Sequence, residues 1–155
     1  MGAKKADKGK RDISSCDIKP RLVDVDALFG KRTIPEIKKG LEKGGIEKIK
    51  VGVFDVDGIL RGKYLSRSKF LSALDNGFGF CDVVLGWDSN DQLYDKAKFT
   101  GWHTAYPDAL VRVIPESART VPFEDNTVFF LGEFIGKTKT VCPRNLLSRV
   151  LERAD

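Results

Sequence analysis

Apolar and polar positions alternate most cleanly just before the chain's midpoint. Ile49, Val51 and Val53 interleave with Lys48, Lys50 and Gly52. A period of two predicts a strand with one face in a core and one in water. Asp57-Gly58 follows between apolar runs, and this dipeptide tolerates positive φ. A two-residue turn and a return strand over residues 59–65 are therefore predicted. The period then changes. Phe70, Leu71 and Leu74 fall at helical spacing, with Ser66 or Ser68 able to cap the helix and Asn76-Gly77 able to end it.

Outside this unit the pattern predicts six more pieces. Leu22, Val23, Val25, Leu28 and Phe29 form a short apolar segment able to pack on the domain. Thr33 can cap a helix starting near Pro35, striped by Ile34, Ile37 and Leu41 and stopped by Gly44-Gly45. Residues 109–114 suggest a strand ended by Pro115. Residues 127–134 (TVFFLGEF) are nearly continuously apolar, as a central strand would be. A last short strand is expected over residues 139–142. Pro143 then opens a helix with Leu146, Leu147, Val150 and Leu151 at helical spacing, still running at Asp155 as at a domain border.

Between these pieces lies an irregular stretch, residues 77–108, with both tryptophans and five aspartates. Only residues 83–85 look like a strand there. A loop this long in a compact domain is usually functional or disordered, and its aromatic content favours an ordered loop built to meet something. Strands in runs, with one helix across them, define an α+β fold, not an alternating βαβα sheet. The expected division is a disordered basic tail (1–19), a helical extension (20–45), the sheet domain (46–142) and the start of a linker helix (143–155).

Composition narrows the function classes. The 155 residues are 41% apolar and 32% charged, ordinary for one soluble domain. No apolar run approaches a membrane span, and no secretory hydrophobic region opens the chain. The net charge is +5. Residues 1–19 hold six basic against three acidic residues, without interleaved aromatics, so a solvated extension fits better than a nucleic-acid arm. Cys16, Cys81 and Cys142 form no CxxC pair, which suggests neither a zinc site nor a disulfide framework and fits a reducing cytoplasm. The single His103 lacks metal-site spacing and reads as a structural histidine.

Two families resemble the central motif. VFDVDGIL resembles the first motif of the haloacid-dehalogenase-type phosphatases, whose first and second aspartates, here Asp55 and Asp57, would be nucleophile and general acid. That fold needs a strand apolar on both faces and a crossover helix directly after the motif. Lys48 and Lys50 break the first requirement and Ile59 the second. FDVDGILRGK, the GFGF loop, YPDALVRVIPES, TVFFLGEF and CPRNLLSRVLERA together resemble the N-terminal β-grasp domain of the glutamine synthetase family. Asp55, Gly58, Arg61, Gly62 and Lys63 match its D-x-x-G-x-x-R-G-K signature. Pro107, Asp108 and Pro115 match a second signature. Pro143 and Arg144 match a third, with Cys142 in place of the usual Asp.

The resemblance implies a β-grasp-like mixed sheet with a helix packed across it. It also implies a subunit of a ring-forming, ATP-dependent ligase that joins glutamate to ammonia or an amine through a γ-glutamyl phosphate. ATP and Mg²⁺ or Mn²⁺ would serve the full-length enzyme; none is assigned to this chain, which would be inactive alone. Its part would be a loop laid over a neighbouring subunit's site, with a carboxylate holding ammonium. Asp82 is the first candidate, shifted one place from the family's Phe-Asp by Cys81, and Asp88 and Asp91 follow. A turn-capping role for Asp82 stays open. Arg61 and Lys63 suggest a solvated or intersubunit strand face. Trp87 and Trp102 suggest packing or interface anchors. The alternative from another class is a non-catalytic interaction protein with the same fold.

Overall fold

The computed structural model describes residues 20–155, so the tail expected over residues 1–19 lies outside the described residues. Two helices come first, α1 (Val25–Phe29) and α2 (Ile34–Lys43). The Asp24 carboxylate caps α1 by accepting from the Asp26 and Ala27 amides. At α2 the Glu36 carboxylate accepts from the Thr33 amide and hydroxyl, which holds Glu36 below the usual carboxylate range. The hairpin follows as β1 (Lys48–Phe54) and β2 (Leu60–Ser66), then α3 (Arg67–Asn76). Ser66 caps α3 and Gly77, at φ +74°, ends it, as the pattern predicts. A Cβ at Gly77 would also meet the Val111 carbonyl at 2.6 Å. The remaining elements are β3 (Phe78–Cys81), β4 (Asp108–Val113), β5 (Arg119–Thr120), β6 (Val128–Phe134) and α4 (Pro143–Ala154).

The sheet runs β2-β1-β6-β4-β3, with β5 also on β6. β1 pairs antiparallel with β2 and parallel with β6; β3, β4 and β5 make antiparallel pairs. With α3 across it, this is the expected α+β, β-grasp-like sheet. It is curled: Lys63 of one edge strand donates across to the Gly79 carbonyl of the other at 2.5 Å. The curl gives the sheet an inner face. Ile49, Val51, Val113, Val128 and Phe130 point inward against Phe70, Ala73 and Leu74 of α3 and against Phe29, Ile37 and Leu41 of α1 and α2. Phe130 is the centre, its ring centroid 4.7 Å from Phe70 and 5.8 Å from Phe29. Burying one such ring contributes about 2–3 kcal/mol. Farther along the same face Val53, Phe80, Val84, Val111, Phe134 and Cys142 form a second cluster, and Phe78 touches both.

Four local expectations are corrected. The hairpin turn is not two residues long: residues 55–59 separate the strands, and only Gly58 takes positive φ, +80°. The Asp55 carboxylate explains the longer loop, because it accepts from amides inside it (below). Residues 83–85 are not a strand but part of a 3₁₀ turn, Asp82–Leu85, while the strand lies just before it at β3. β3 forms where Phe78 and Phe80 alternate with Gly79, whose missing Cβ admits Asp108; an added Cβ would lie 2.8 Å from Oδ2. Residues 139–142 are not a strand either. A 3₁₀ turn, Gly136–Thr140, occupies the link, and the Thr138 carbonyl takes both the Val141 and Cys142 amides before α4 begins at Pro143. Finally, β1 does not leave one whole face in water. Lys48 is exposed, but Gly52 is buried and Lys50 is held by Glu124 at 2.6 Å. β1 is an interior strand, parallel to β6, as a phosphatase motif strand would be. Its other neighbour is the antiparallel return strand, not a crossover helix.

Candidate functional site

The D-x-x-G-x-x-R-G-K signature lies at the end of the sheet where residues 55–59 meet residues 84–94. Asp55 directly follows β1 and is wholly buried. Its Oδ1 accepts from the Asp57 amide at 3.0 Å and the Ile59 amide at 2.7 Å; its Oδ2 accepts from Arg61 Nε at 2.7 Å. A buried carboxylate with both oxygens filled is compensated in place. Wholly buried and held by three donors, it presents no accessible oxygen to a phosphate ester, which argues against the phosphatase role of Asp55.

Arg61 stands opposite Val53 and Lys63 opposite Val51, so both side chains leave β2 on the inner side of the curl. Neither projects into solvent from a strand face. The far end of Arg61 reaches the irregular stretch: Nη1 lies 2.7 Å from Asp91 Oδ1, Nη2 donates to the Asp88 carbonyl at 3.4 Å, and the guanidinium carbon is 5.0 Å from the Trp87 ring centroid. The Asp55 hydrogen bond first, and the Asp91 charge after it, hold Arg61 above its ordinary pKa. Lys63 lies across β3, 5.1 Å from the Phe80 ring and 5.4 Å from that of Phe78. Gly62 faces Gly52, where a side chain would press on the Val51 carbonyl at 3.0 Å.

Residues 86–94 form a small closed loop. The Tyr94 amide donates to the Gly86 carbonyl at 2.8 Å, and the Asp88 amide donates to the Gln92 carbonyl at 2.9 Å. Asp88 Oδ1 accepts from the Asn90 and Gln92 amides, an Asx arrangement that a bare sequence gives no way to orient. Asp57 ties on from the hairpin, accepting the Ser89 amide at 2.9 Å and the Tyr94 hydroxyl at 3.5 Å. Burial and then the Asp57 charge raise the Tyr94 phenol.

The structure thus brings Asp88, Asp91, Trp87, Arg61 and Asp55 together. Asp82 lies elsewhere. It is buried at the start of its 3₁₀ turn, accepting from the Thr100 hydroxyl at 2.6 Å, while its amide donates to the Pro107 carbonyl. Thr100 was missed in the sequence, since nothing local links positions 82 and 100. Asp108 sits against Gly79, and Pro107 follows two residues in left-handed backbone, Ala105 and Tyr106. Pro143 opens α4, and Arg144 approaches the Glu133 carboxylate of β6, which also takes Arg112. Trp87 is half-buried against the second cluster. Trp102 is 81% exposed and touches Tyr106 edge-on, so within this chain it is no packing anchor. His103 is exposed, its Nε2 3.2 Å from the Lys98 carbonyl. Among the described residues no group of three or more His, Cys, Asp or Glu side chains is placed to hold a metal ion, and no helix is long and apolar enough to cross a membrane.

The curled mixed sheet with α3 across it defines a β-grasp-like domain, in which Asp55, Arg61, Lys63, Pro107 and Arg144 of the signatures tie one element to another. No protein-family model matches the chain. It is 47% identical over 108 residues to type-1 glutamine synthetase 2 of Dictyostelium discoideum, and 35% identical over 132 residues to a glutamate–isopropylamine ligase of a Pseudomonas species. Those alignments take in 68% and 81% of this chain but 21% and 28% of the relatives, so the chain spans about a quarter of their length. Among solved structures a GmaS–ADP complex superposes with a TM-score of 0.56 at 21% identity, over 76% of this chain and 25% of that one, a likeness of fold. The chain belongs to the glutamine synthetase family, consistent with its N-terminal β-grasp part.

Proposed function

We propose that this chain is the N-terminal domain of a glutamine synthetase-like, ATP-dependent ligase that joins glutamate to ammonia or an amine. In this proposal it completes a neighbouring subunit's active site within a ring and is inactive alone. ATP and Mg²⁺ or Mn²⁺ belong to the remainder of the enzyme. In this reading the chain's own contribution is to position and to bind. The observation that carries the proposal is the identity, 47% and 35%, to a glutamine synthetase and a glutamate–isopropylamine ligase, and it is supported by the irregular stretch, residues 77–108, which is ordered on the sheet and carries Asp82 and Asp88.

The chemistry asked of such a loop is modest. A carboxylate near the acceptor site attracts an ammonium or alkylammonium ion and can take its proton as the amine becomes a nucleophile. Asp82 remains the first candidate and Asp88 the second. Asp82 is the one supported by a fixed, buried partner, Thr100. A cytoplasmic setting fits the proposal.

The test uses the full-length gene product and assays γ-glutamyl amide formation with ammonia, isopropylamine and ethanolamine. Asp82→Asn should lower kcat/KM for the accepted amine by about 100-fold. The 155-residue chain assayed alone should give no product. Turnover by the chain alone would overturn the proposal, as would an undiminished Asp82→Asn enzyme. One observation favours the interaction-protein alternative: α4 leaves Leu146, Leu147, Val150 and Leu151 each more than half exposed.

A further inference from the structure

We propose that Arg61 is a positioning residue, a lock that sets the placement of residues 86–94. What that loop is placed for rests on the ligase function proposed above; the lock itself does not. Its near end cannot drift. Asp55 is wholly buried and keeps Arg61 Nε at 2.7 Å, while two backbone amides fix the carboxylate in turn. Its far end makes three contacts of different kinds with one loop: an ion pair to Asp91, a hydrogen bond to the Asp88 carbonyl and a stack on Trp87. A guanidinium is planar and rigid, so these contacts share one orientation that an ammonium cannot reproduce.

The loop needs such a lock. It is closed on itself by the Gly86–Tyr94 and Asp88–Gln92 backbone hydrogen bonds, so it moves as a body. It also carries two local costs. Asp91 holds left-handed backbone, φ +62°, without being glycine. The indole N–H of Trp87 is buried with no hydrogen-bond partner. Apart from Arg61, the ties from the hairpin loop are the two hydrogen bonds to Asp57 and the Val56 amide on the Val84 carbonyl. Arg61 joins the loop's tip, at Asp91, to its base, at Trp87, and anchors both to the buried Asp55.

The experiment compares backbone amide exchange in the wild-type chain, Asp91→Asn and Arg61→Lys. Asp91→Asn cuts only the exposed end of the lock, so the fold survives. Arg61→Lys keeps the charge and removes the fork. Both should exchange about tenfold faster at residues 88–93, with β1 and β6 protected as before. Unchanged exchange at 88–93 in both variants would overturn the lock. If Arg61→Lys fails to fold, Asp91→Asn decides alone. In the full-length enzyme the loosened loop should raise KM for the amine more than it lowers kcat. Loosening with an unchanged amine KM upholds the lock and overturns the loop's proposed place at the acceptor site.

Discussion

Two ends of one sheet are held by different forces. Behind β1 and β6, Phe29, Phe70 and Phe130 pack with Ile37, Ile49 and Val128, all wholly buried. Nothing there needs a particular hydrogen bond. At the other end, where the hairpin meets residues 84–94, the centre is a carboxylate as completely buried as those rings. Apolar packing tolerates change in proportion to volume, because each lost contact is small. A buried charge tolerates almost none, because its compensation fails as a unit. The helix-backed end should therefore answer substitution with lost stability, and the loop end with lost order as well.

The sharpest contrast comes from Phe130→Ala against Asp55→Ala. Phe130→Ala empties the centre of the aromatic cluster and should cost about 4 kcal/mol, lowering the melting temperature by about 10 °C with the cooperative transition kept. Asp55→Ala leaves two amides and Arg61 without their acceptor. It should cost about 3 kcal/mol and also unprotect residues 86–94 in amide exchange, which Phe130→Ala should not do selectively. Equal exchange patterns in the two variants would break the comparison.

The smallest effect concerns the outer face of the sheet. Glu124 accepts from Lys50 and from the Tyr64 hydroxyl, and the Lys50 hydrogen bond first, then Tyr64, holds its carboxyl below the usual value of 4.5. A lowered folded pKa contributes stability above the unfolded pKa and loses it as pH falls through the folded value. The stability gap between wild type and Glu124→Gln should thus be constant near neutrality and narrow as pH drops below about 4.5, as urea unfolding across pH would read. Lys50, raised chiefly by the same hydrogen bond, adds no change in that window.

The same division separates what was legible beforehand from what was not. The hairpin strands, α3 with its Ser66 cap and Gly77 stop, the central β6 and α4 all follow from periodicity and end signals a few residues long. The aromatic cluster follows from those. The ties that make the candidate site span longer gaps between polar residues: Asp82 to Thr100, Arg61 to Asp91, Asp57 to Ser89. No periodicity encodes them. The turn is longer than Asp57-Gly58 predicts for the same reason: the Asp55 carboxylate accepts from the amides of Asp57 and Ile59. Residues 139–142 carry β-favouring Thr and Val. Yet the Thr138 carbonyl takes the Val141 and Cys142 amides locally, so those groups are spent in the 3₁₀ turn and not in a ladder.

The parallel pairing of β1 with β6 has a kinetic side. Residues Ile49 to Gly52 find their partners at Val128 to Leu131, on the far side of the irregular loop. During synthesis the hairpin is complete long before β6 leaves the ribosome, and the inner edge of β1 waits with unsatisfied backbone groups. Closing so large a circuit is slow by topology alone. Lys48 and Lys50 charge the waiting edge strand, which discourages another nascent chain from taking the vacant place.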